Sequence, residues 1–205
     1  INRTPPKTQA ALLEAMQEKA ITAAGNRYEL GKPFFVLATQ NPIEQEGTYP
    51  LPEAQLDRFM FNVVLDYPSY EEELQVIKST TSYRNVILNK VLDAEQIISY
   101  QQLIRKIPVT DNVMEYAVRL VAKTRPNTLM ATESVNKFIS WGAGPRASQF
   151  LVVGAKCHAA INGKYSPDIE DVKAVAEPIL RHRLVKTYQA DAEGISIEQL
   201  IQELL

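Results

Sequence analysis

The sequence predicts an α/β domain followed by an all-helical domain, and three observations support this prediction. The run PFFVLATQ at 33–40 is apolar up to its polar end, and MFNVVLDYP at 60–68 is a second mostly apolar run; both are typical of buried strands in a parallel sheet. A loop and a short helix lie between them, as in an α/β arrangement. After residue 90 the strand patterns end and apolar residues recur at helical spacing. We therefore predict two domains, residues 1–90 and residues 91–205.

The composition is that of a folded globular protein. Of the 205 residues, 45% are hydrophobic and 22% are charged, which excludes disordered, collagen-like and coiled-coil chains. The net charge of -2 gives no overall attraction to nucleic acid or to an anionic membrane. The apolar runs are too short to span a bilayer, and the single cysteine, Cys157, excludes an internal disulfide. We expect a cytoplasmic protein whose chain continues upstream of Ile1.

Local signals define the elements of the first domain. A helix begins after Thr4, before two prolines, and ends near Glu18. Short alternating runs around the turn pair Gly25-Asn26 predict a hairpin at 20–30. After the first buried strand comes a loop, and Pro52 then opens the short helix that leads into the second strand.

Caps and prolines mark the later helices. Ser69 and Glu72 form a capping box for a helix that reaches about residue 78, and the irregular stretch 80–92 connects it to the second domain. The helices of the second domain are predicted to start at Asp93 with Gln96 as its capping partner, near Asn112, at Pro145, at Pro167 and at Ser196 with Gln199.

Asn41 is the first candidate functional residue. It follows the first buried strand, and ligands in α/β folds bind at the carboxyl ends of strands. Its side-chain amide suits the orientation of a water molecule or contact with a phosphate. The alternative is that the Asn-Pro pair simply forms a turn.

Arg58 is the second candidate, at the junction of the short helix and the second strand. Leu56 and Phe59 are expected to anchor the backbone, so that the guanidinium emerges at a fixed position with its planar fork available to a phosphate. The alternative is a surface ion pair with Asp57 or Glu53, which would contribute about 0 to 1 kcal/mol.

Arg146 is the third candidate, in the first turn of the helix that Gly144-Pro145 opens. Free backbone N–H groups and the helix dipole make a helix N-terminus attractive to anions, and an arginine adds a bidentate donor. A purely structural role is an equal alternative.

The remaining polar residues give weaker signals. Cys157 and His158 are neighbours that point in different directions on a helix, and His182 has no partner at ligand spacing, so we predict no metal site. The basic cluster RHRLVK at 181–186 is expected to be a solvated face, with contact to a neighbouring subunit or to nucleic acid as alternatives.

The ordered motifs ATQNP, EGTYPLPEAQLDRF and SWGAGPRASQ closely resemble the MoxR family of AAA+ ATPases. The resemblance covers essentially the whole chain and implies part of an AAA+ P-loop NTPase core with a parallel sheet, followed by a helical lid. It implies that Asn41 is sensor 1, Arg58 the arginine finger and Arg146 sensor 2, so that all three contact ATP. It also implies that the hairpin at 20–30 is the pre-sensor 1 insertion.

The chain departs from the family pattern in one respect. Neither a GxxxxGK[ST] phosphate loop nor a Walker B acidic pair occurs in it, and INR is what normally follows that pair. The resemblance therefore implies the C-terminal part of an ATPase, with most ligands of ATP and Mg²⁺ upstream. We expect this chain alone to be inactive, and Arg58 to lack a partner within it.

The resemblance further implies a function for the whole protein. It would be an ATPase in a homo-oligomeric ring, as a hexamer, that remodels or matures partner proteins, including proteins with a von Willebrand factor A domain. One alternative is a catalytically incomplete assembly or binding module. Another is a nucleic-acid motor related to the helix-2-insert AAA+ helicases, although the hairpin has only Arg27 near its tip.

Overall fold

The computed structural model of the chain describes residues 1–41, 47–83 and 88–205. In chain order its elements are α1 (Pro6–Glu18), β1 (Ala20–Ala23), β2 (Asn26–Glu29), α2 (Glu53–Leu56), α3 (Tyr70–Thr81), α4 (Ala94–Lys106), α5 (Asp111–Lys123), α6 (Glu133–Phe138), β3 (Ile139–Trp141), α7 (Pro145–Ile161), α8 (Ile169–Leu180), the 3₁₀ turn η1 (Arg181–Arg183), β4 (Val185–Lys186), α9 (Tyr188–Ala192) and α10 (Ile197–Leu204). An α/β part thus precedes a helical part, as predicted. No helix in the described ranges is both long and apolar enough to cross a bilayer.

The predicted hairpin is present, but its turn lies one residue earlier than predicted. Strands β1 and β2 are antiparallel, and Ala23 pairs with Asn26, so Ala24 and Gly25 form the turn. Both turn residues have positive φ, 50° for Ala24 and 78° for Gly25. A two-residue turn of this kind matches the twist of the flanking strands. Asn26 therefore belongs to the ladder and not to the turn.

The two predicted buried strands do not form within the described residues. Segments 33–40 and 60–68 contain no paired strand, and the described sheets are the small antiparallel pairs β1–β2 and β3–β4. Phe35, Leu37 and Leu65 are 77%, 85% and 89% exposed. A parallel strand is buried only where neighbouring strands and covering helices are present, and the described residues supply neither here.

The predicted capping boxes are confirmed. In the box of α3, the Glu72 N–H donates to Ser69 Oγ at 3.3 Å and the Ser69 N–H donates to the Glu72 carboxylate at 2.8 Å. The boxes that begin α4 and α10 are also complete. Helix α3 continues to Thr81, three residues beyond the predicted end. Residues 42–46 and 84–87, which include Pro42 and part of the predicted connector, lie outside the described residues.

Two of the later helices begin close to their predicted starts but not at them. Helix α5 begins at Asp111, one residue early, and α8 begins at Ile169, two residues later than predicted. The later start follows from a capping box, because Asp168 accepts from the Asp171 N–H at 3.1 Å and Asp171 accepts from the Asp168 N–H at 2.9 Å. Helices α6 and α9 and strands β3 and β4, each at most six residues long, are not among the predicted elements.

The hydrophobic core lies in the helical part. Helices α5, α7, α8 and α10 supply most of its fully buried side chains, including Leu120, Val121, Leu151, Val172, Ile179 and Ile201. Gly154 on α7 lets α8 approach closely, because a Cβ at this position would lie 3.2 Å from Val175 Cγ2. Tight packing of α7 on α8 gives the helical part a rigid centre. The division of the chain at residue 90 stays a prediction.

Candidate functional site

The structure joins Arg146 to the residue that directly precedes Arg58. Arg146 forms an ion pair with Asp57, the residue directly before Arg58. Asp57 ends α2, and its carboxylate is half-buried, with 25% of the side chain exposed. Asn41 is exposed at the end of the first described range. Arg146 therefore lies at the end of α2, and the roles of the three candidate residues stay predictions.

The Asp57 carboxylate bridges two arginines from the helical part. Its Oδ2 accepts from Arg146 Nη1, and its Oδ1 accepts from Arg183 Nε at 2.8 Å. The Arg58 side chain forms no ion pair or hydrogen bond with this carboxylate. The surface ion pair between Arg58 and Asp57 or Glu53 is therefore not found among the described residues.

Arg58 has buried donors without a partner. Its Nε and Nη1 atoms are buried and have no hydrogen-bond partner in the part of the chain that the structure describes. Leaving a buried donor unsatisfied costs about 1 to 3 kcal/mol, and such groups are rare in folded proteins. These two nitrogens are therefore available to an acceptor outside the described residues.

The backbone around Arg58 continues the helical turn of α2. The Asp57 N–H donates to Glu53 O at 2.9 Å, and the Phe59 N–H donates to Leu56 O at 3.0 Å. Leu56 and Phe59 are half-buried. The two predicted anchors thus hold Arg58 in a short, hydrogen-bonded turn.

Arg183 is a functional candidate that the sequence did not reveal. The expectation that cluster 181–186 is a solvated face is wrong for this residue, because its side chain is only 1% exposed. Its guanidinium lies over the Phe150 ring, 5.1 Å from the centroid. Burial lowers the pKa of Arg183, and the Asp57 carboxylate opposes this shift. The apolar pairs on both sides of RHR, Ile179-Leu180 and Leu184-Val185, were the available signal for burial.

Arg183 binds the chain around Arg58 through several hydrogen bonds. Its Nη2 donates to Asp57 O at 2.8 Å and to Phe59 O at 2.6 Å. Its Nη1 donates to Met60 O at 3.4 Å and to Ile179 O. One buried side chain thus joins the end of α8 to the segment that carries Arg58.

The other two residues of η1 bind the same segment. His182 Nε2 lies 3.0 Å from Phe59 O, and Arg181 Nη1 donates to Asn62 O at 3.2 Å. Burial, together with the nearby charge of Arg183, lowers the pKa of His182 to about 4. His182 is therefore neutral near pH 7, and Nε2 is protonated because Phe59 O can only accept.

Arg146 is held in place by the loop before α7. Thr124 Oγ1 accepts from the Ala143 N–H at 3.0 Å, and Arg125 Nε donates to Ala143 O at 3.0 Å. The loop lies against the end of α5 so closely that a Cβ at Gly142 would overlap the Thr124 carbonyl oxygen. These contacts fix where α7 begins and hence where Arg146 projects.

His158 belongs to a separate polar cluster. Its Nδ1 lies 2.7 Å from Oδ1 of Asp171, a fully buried carboxylate that also accepts from Lys164 Nζ at 3.0 Å. Burial by itself would raise the pKa of Asp171, but hydrogen bonds from Asp168, His158 and Lys164 lower it to about 2. Cys157 is half-buried, and burial raises the pKa of its thiol. The cluster stabilises the start of α8.

Comparisons with known proteins agree with this architecture. The family model described as "ATPase family associated with various cellular activities (AAA)" matches residues 1–61, and the model "AAA lid domain" matches residues 131–204. An α/β fragment followed by a helical lid, with arginines from the lid meeting the end of α2, defines the chain as part of an AAA+ ATPase.

Individual relatives show to which group of AAA+ ATPases the chain belongs. Chaperone MoxR1 of Mycobacterium tuberculosis is 41% identical over 100% of this chain and 54% of its own length. The uncharacterized protein YeaC of Bacillus subtilis is 40% identical over 100% of the chain and 62% of its own length. The crystal structure of a candidate ATPase from Cytophaga hutchinsonii superposes with a TM-score of 0.92 at 42% identity, covering 99% of this chain and 62% of that one. The chain belongs to the MoxR-like AAA+ ATPases, and it spans 54% to 62% of the length of these relatives.

Proposed function

We propose that the protein hydrolyses ATP in a homo-oligomeric ring, as a hexamer, and uses the resulting movement to remodel or mature partner proteins. Membership of an ATPase family supports the reaction, and the name of the relative MoxR1 supports the chaperone role. We further propose a cytoplasmic location and clients that include proteins with a von Willebrand factor A domain. The family resemblance supports these finer points.

The proposal rests mainly on the buried guanidinium nitrogens of Arg58 that lack hydrogen-bond partners. Two of its guanidinium nitrogens are buried without a partner in the described residues, while Arg146 and Arg183 share the adjacent carboxylate. Arg58 therefore directly follows a carboxylate whose two oxygens are already taken by other arginines. A phosphate would supply the acceptors and the negative charge that Arg58 lacks, because its oxygens bind a guanidinium fork in bidentate fashion.

Arg58 and Arg146 have complementary roles in the proposed reaction. Phosphoryl transfer depends on stabilising charge around the γ-phosphate, and an arginine finger contributes about 10³ to 10⁵ in rate where it has been measured. Arg58 would act on ATP bound by the neighbouring subunit, and Asn41 would orient the attacking water. Arg146 would link the position of the lid to the nucleotide.

The described residues fit the phosphate end of ATP, and no Mg²⁺ site is found among them. No group of three or more His, Cys, Asp or Glu side chains in the described ranges could hold a metal ion. We therefore expect the phosphate loop and Walker B acids that the resemblance implies to provide the Mg²⁺ ligands.

Arg58→Ala in the protein from the complete reading frame tests the proposal. We expect ATP binding to remain and turnover to fall by a factor of about 10³ or more. Arg119→Ala, which removes an exposed arginine on α5, is the matched control and should keep normal turnover. Normal turnover by Arg58→Ala would contradict the proposal, and absence of turnover in the unmodified protein would favour an assembly or binding module.

Mixed rings test whether Arg58 acts across the subunit boundary. Neither Arg58→Ala nor a variant that lacks the Walker B glutamate should turn over ATP alone. Mixed together, they should regain activity, since an intact catalytic site then meets an intact finger. Absence of recovery at every mixing ratio would reject the shared site.

The hairpin at 20–30 does not favour a nucleic-acid motor. The hairpin turn consists of Ala24 and Gly25, and Arg27 lies 4.0 Å from the carboxylate of Glu18. A single arginine paired with a glutamate is a poor contact for a phosphate backbone.

A further inference from the structure

We propose that Arg183 is a positioning residue for Arg58, and that through the shared Asp57 carboxylate it couples the arginine finger to the lid arginine Arg146. The inference rests on the proposed function and assigns to the lid a task besides contact with its own nucleotide. That task is to set the position of the finger offered to the neighbouring subunit.

The first step concerns the residues that flank Arg58. Arg183 Nη2 binds the carbonyl oxygens of Asp57 and Phe59, at 2.8 and 2.6 Å. These residues directly precede and follow Arg58 in the chain. The guanidinium of Arg183 therefore fixes the main chain on both sides of the finger without using the finger's own side chain.

The second step concerns the rigidity of Arg183 itself. Its guanidinium is enclosed between the Phe150 ring of α7 and the Ile179 carbonyl of α8. All three of its nitrogens donate hydrogen bonds. A planar fork with donors in several directions can do this, whereas the single ammonium group of lysine cannot. Arg183 must therefore move with the lid.

The third step concerns the link to Arg146. The two oxygens of Asp57 are divided between Arg183 and Arg146, which lies one turn before Phe150 on α7. If phosphate contacts draw Arg146 and the lid to a new position, Asp57 and Arg183 carry the segment of Arg58 along. A displacement of about 1 Å at a reacting centre costs about 100-fold in rate.

Arg181 provides a matched control within the same turn. It lies two residues before Arg183 and binds Glu177, Glu198 and the carbonyl oxygen of Asn62. It makes ion pairs of its own, and its hydrogen bonds within the described residues reach neither of the two residues that flank Arg58. Arg181→Lys and Arg183→Lys therefore apply the same chemical change to the same turn, and the second should affect the finger more strongly.

The experiment compares these two variants in the protein from the complete reading frame. We expect Arg183→Lys to lower kcat by about 10- to 100-fold and to leave KM for ATP within about twofold, because Arg183 touches the finger segment and not the nucleotide. Arg181→Lys should lower kcat less than Arg183→Lys does, because Arg181 binds the finger segment only at the carbonyl oxygen of Asn62. Thermal unfolding and ring assembly are measured for both. Equal kcat for the two variants, or a raised KM with normal kcat for Arg183→Lys, would overturn the inference.

Mixed rings then locate the defect. Arg183→Lys should regain activity when mixed with the variant that lacks the Walker B glutamate, as Arg58→Ala does, because its own catalytic site is intact and only its finger is displaced. A substitution that damaged the whole subunit would inactivate its own catalytic site as well as its finger, and mixing would then restore no activity. If mixing restores ATP turnover to Arg58→Ala but not to Arg183→Lys, the inference about Arg183 is wrong and the shared catalytic site stands. Recovery of neither variant rejects the shared site and the inference with it.

Asp57→Asn provides a second variant if Arg183→Lys does not assemble. It preserves the shape of the side chain and removes the charge that binds both arginines. We expect the same pattern, namely a lower kcat, an unchanged KM and recovery in mixed rings. Unmodified kcat in Asp57→Asn would refute the coupling through this carboxylate.

Discussion

Arg58 and Arg183 both have buried guanidinium nitrogens, but their hydrogen bonding differs. Arg183 binds a carboxylate and four carbonyl groups, whereas two nitrogens of Arg58 bind nothing in the described residues. Within the described residues the Arg183 guanidinium thus contributes to folding, and these two nitrogens of Arg58 do not. A charge kept at a cost to stability is typical of a functional residue.

Replacing each arginine by methionine should change the free energy of unfolding differently for Arg58 and for Arg183. In nucleotide-free protein we expect Arg58→Met to leave the free energy of unfolding unchanged or to raise it by about 1 kcal/mol, because buried unsatisfied donors disappear. Arg183→Met should lower it by about 3 to 5 kcal/mol, because Asp57 loses a buried partner. Urea unfolding measures both. Equal losses would show that Arg58 has partners in the folded protein.

The contact between η1 and the segment at 57–62 is the element on which the proposed site depends. Besides the bonds of Arg183, the Asn62 N–H donates to Pro178 O at 2.8 Å, and His182 binds Phe59 O at 3.0 Å. The basic residues of η1 thus act as hydrogen-bond donors to a backbone and not as a solvated charged face. The caps of the helices could be predicted from sequence, but this contact could not, because it has no local signal.

The neutral state of His182 makes this contact sensitive to pH. Its pKa in the folded protein is about 4, below the reference value of 6.5, so the unfolded chain takes up the proton first as the pH falls. The His182 contribution to stability is therefore complete above pH 6.5 and is lost as the pH falls towards 4. Urea unfolding between pH 7 and pH 4.5 should show this loss. His182→Gln keeps a donor for Phe59 O and should weaken the pH dependence; an unchanged slope would contradict the assignment.

At the scale of the whole molecule, the chain exposes residues that the sequence predicts to be buried. Leu37 and Leu65 are 85% and 89% exposed in segments with the pattern of covered parallel strands. The chain spans 62% of the length of the relative YeaC and of the matched crystal structure. We expect the complete protein to bury both leucines in the central sheet that the resemblance implies.

Substitution by asparagine in the complete protein tests this expectation. Leu37→Asn and Leu65→Asn should each lower the free energy of unfolding by about 2 to 5 kcal/mol, since a buried leucine would be lost and a polar group buried. Leu129→Asn is the control, because Leu129 is fully exposed in the helical part. If the three variants were equally stable, segments 33–40 and 60–68 would not be core strands.

The sequence alone determined the helix caps, the hairpin, the order of an α/β part and a helical part, and the family resemblance. These features depend on residues close together in the chain, such as Ser69 with Glu72 or Leu56 with Phe59. Only the tertiary structure decided which side chains bind Asp57. Its partners Arg146 and Arg183 are 89 and 126 positions away, and no short pattern encodes a contact over such distances. The packing of α7 and α8 brings both arginines to the end of α2, whereas Nε and Nη1 of Arg58 have no hydrogen-bond partner among the described residues.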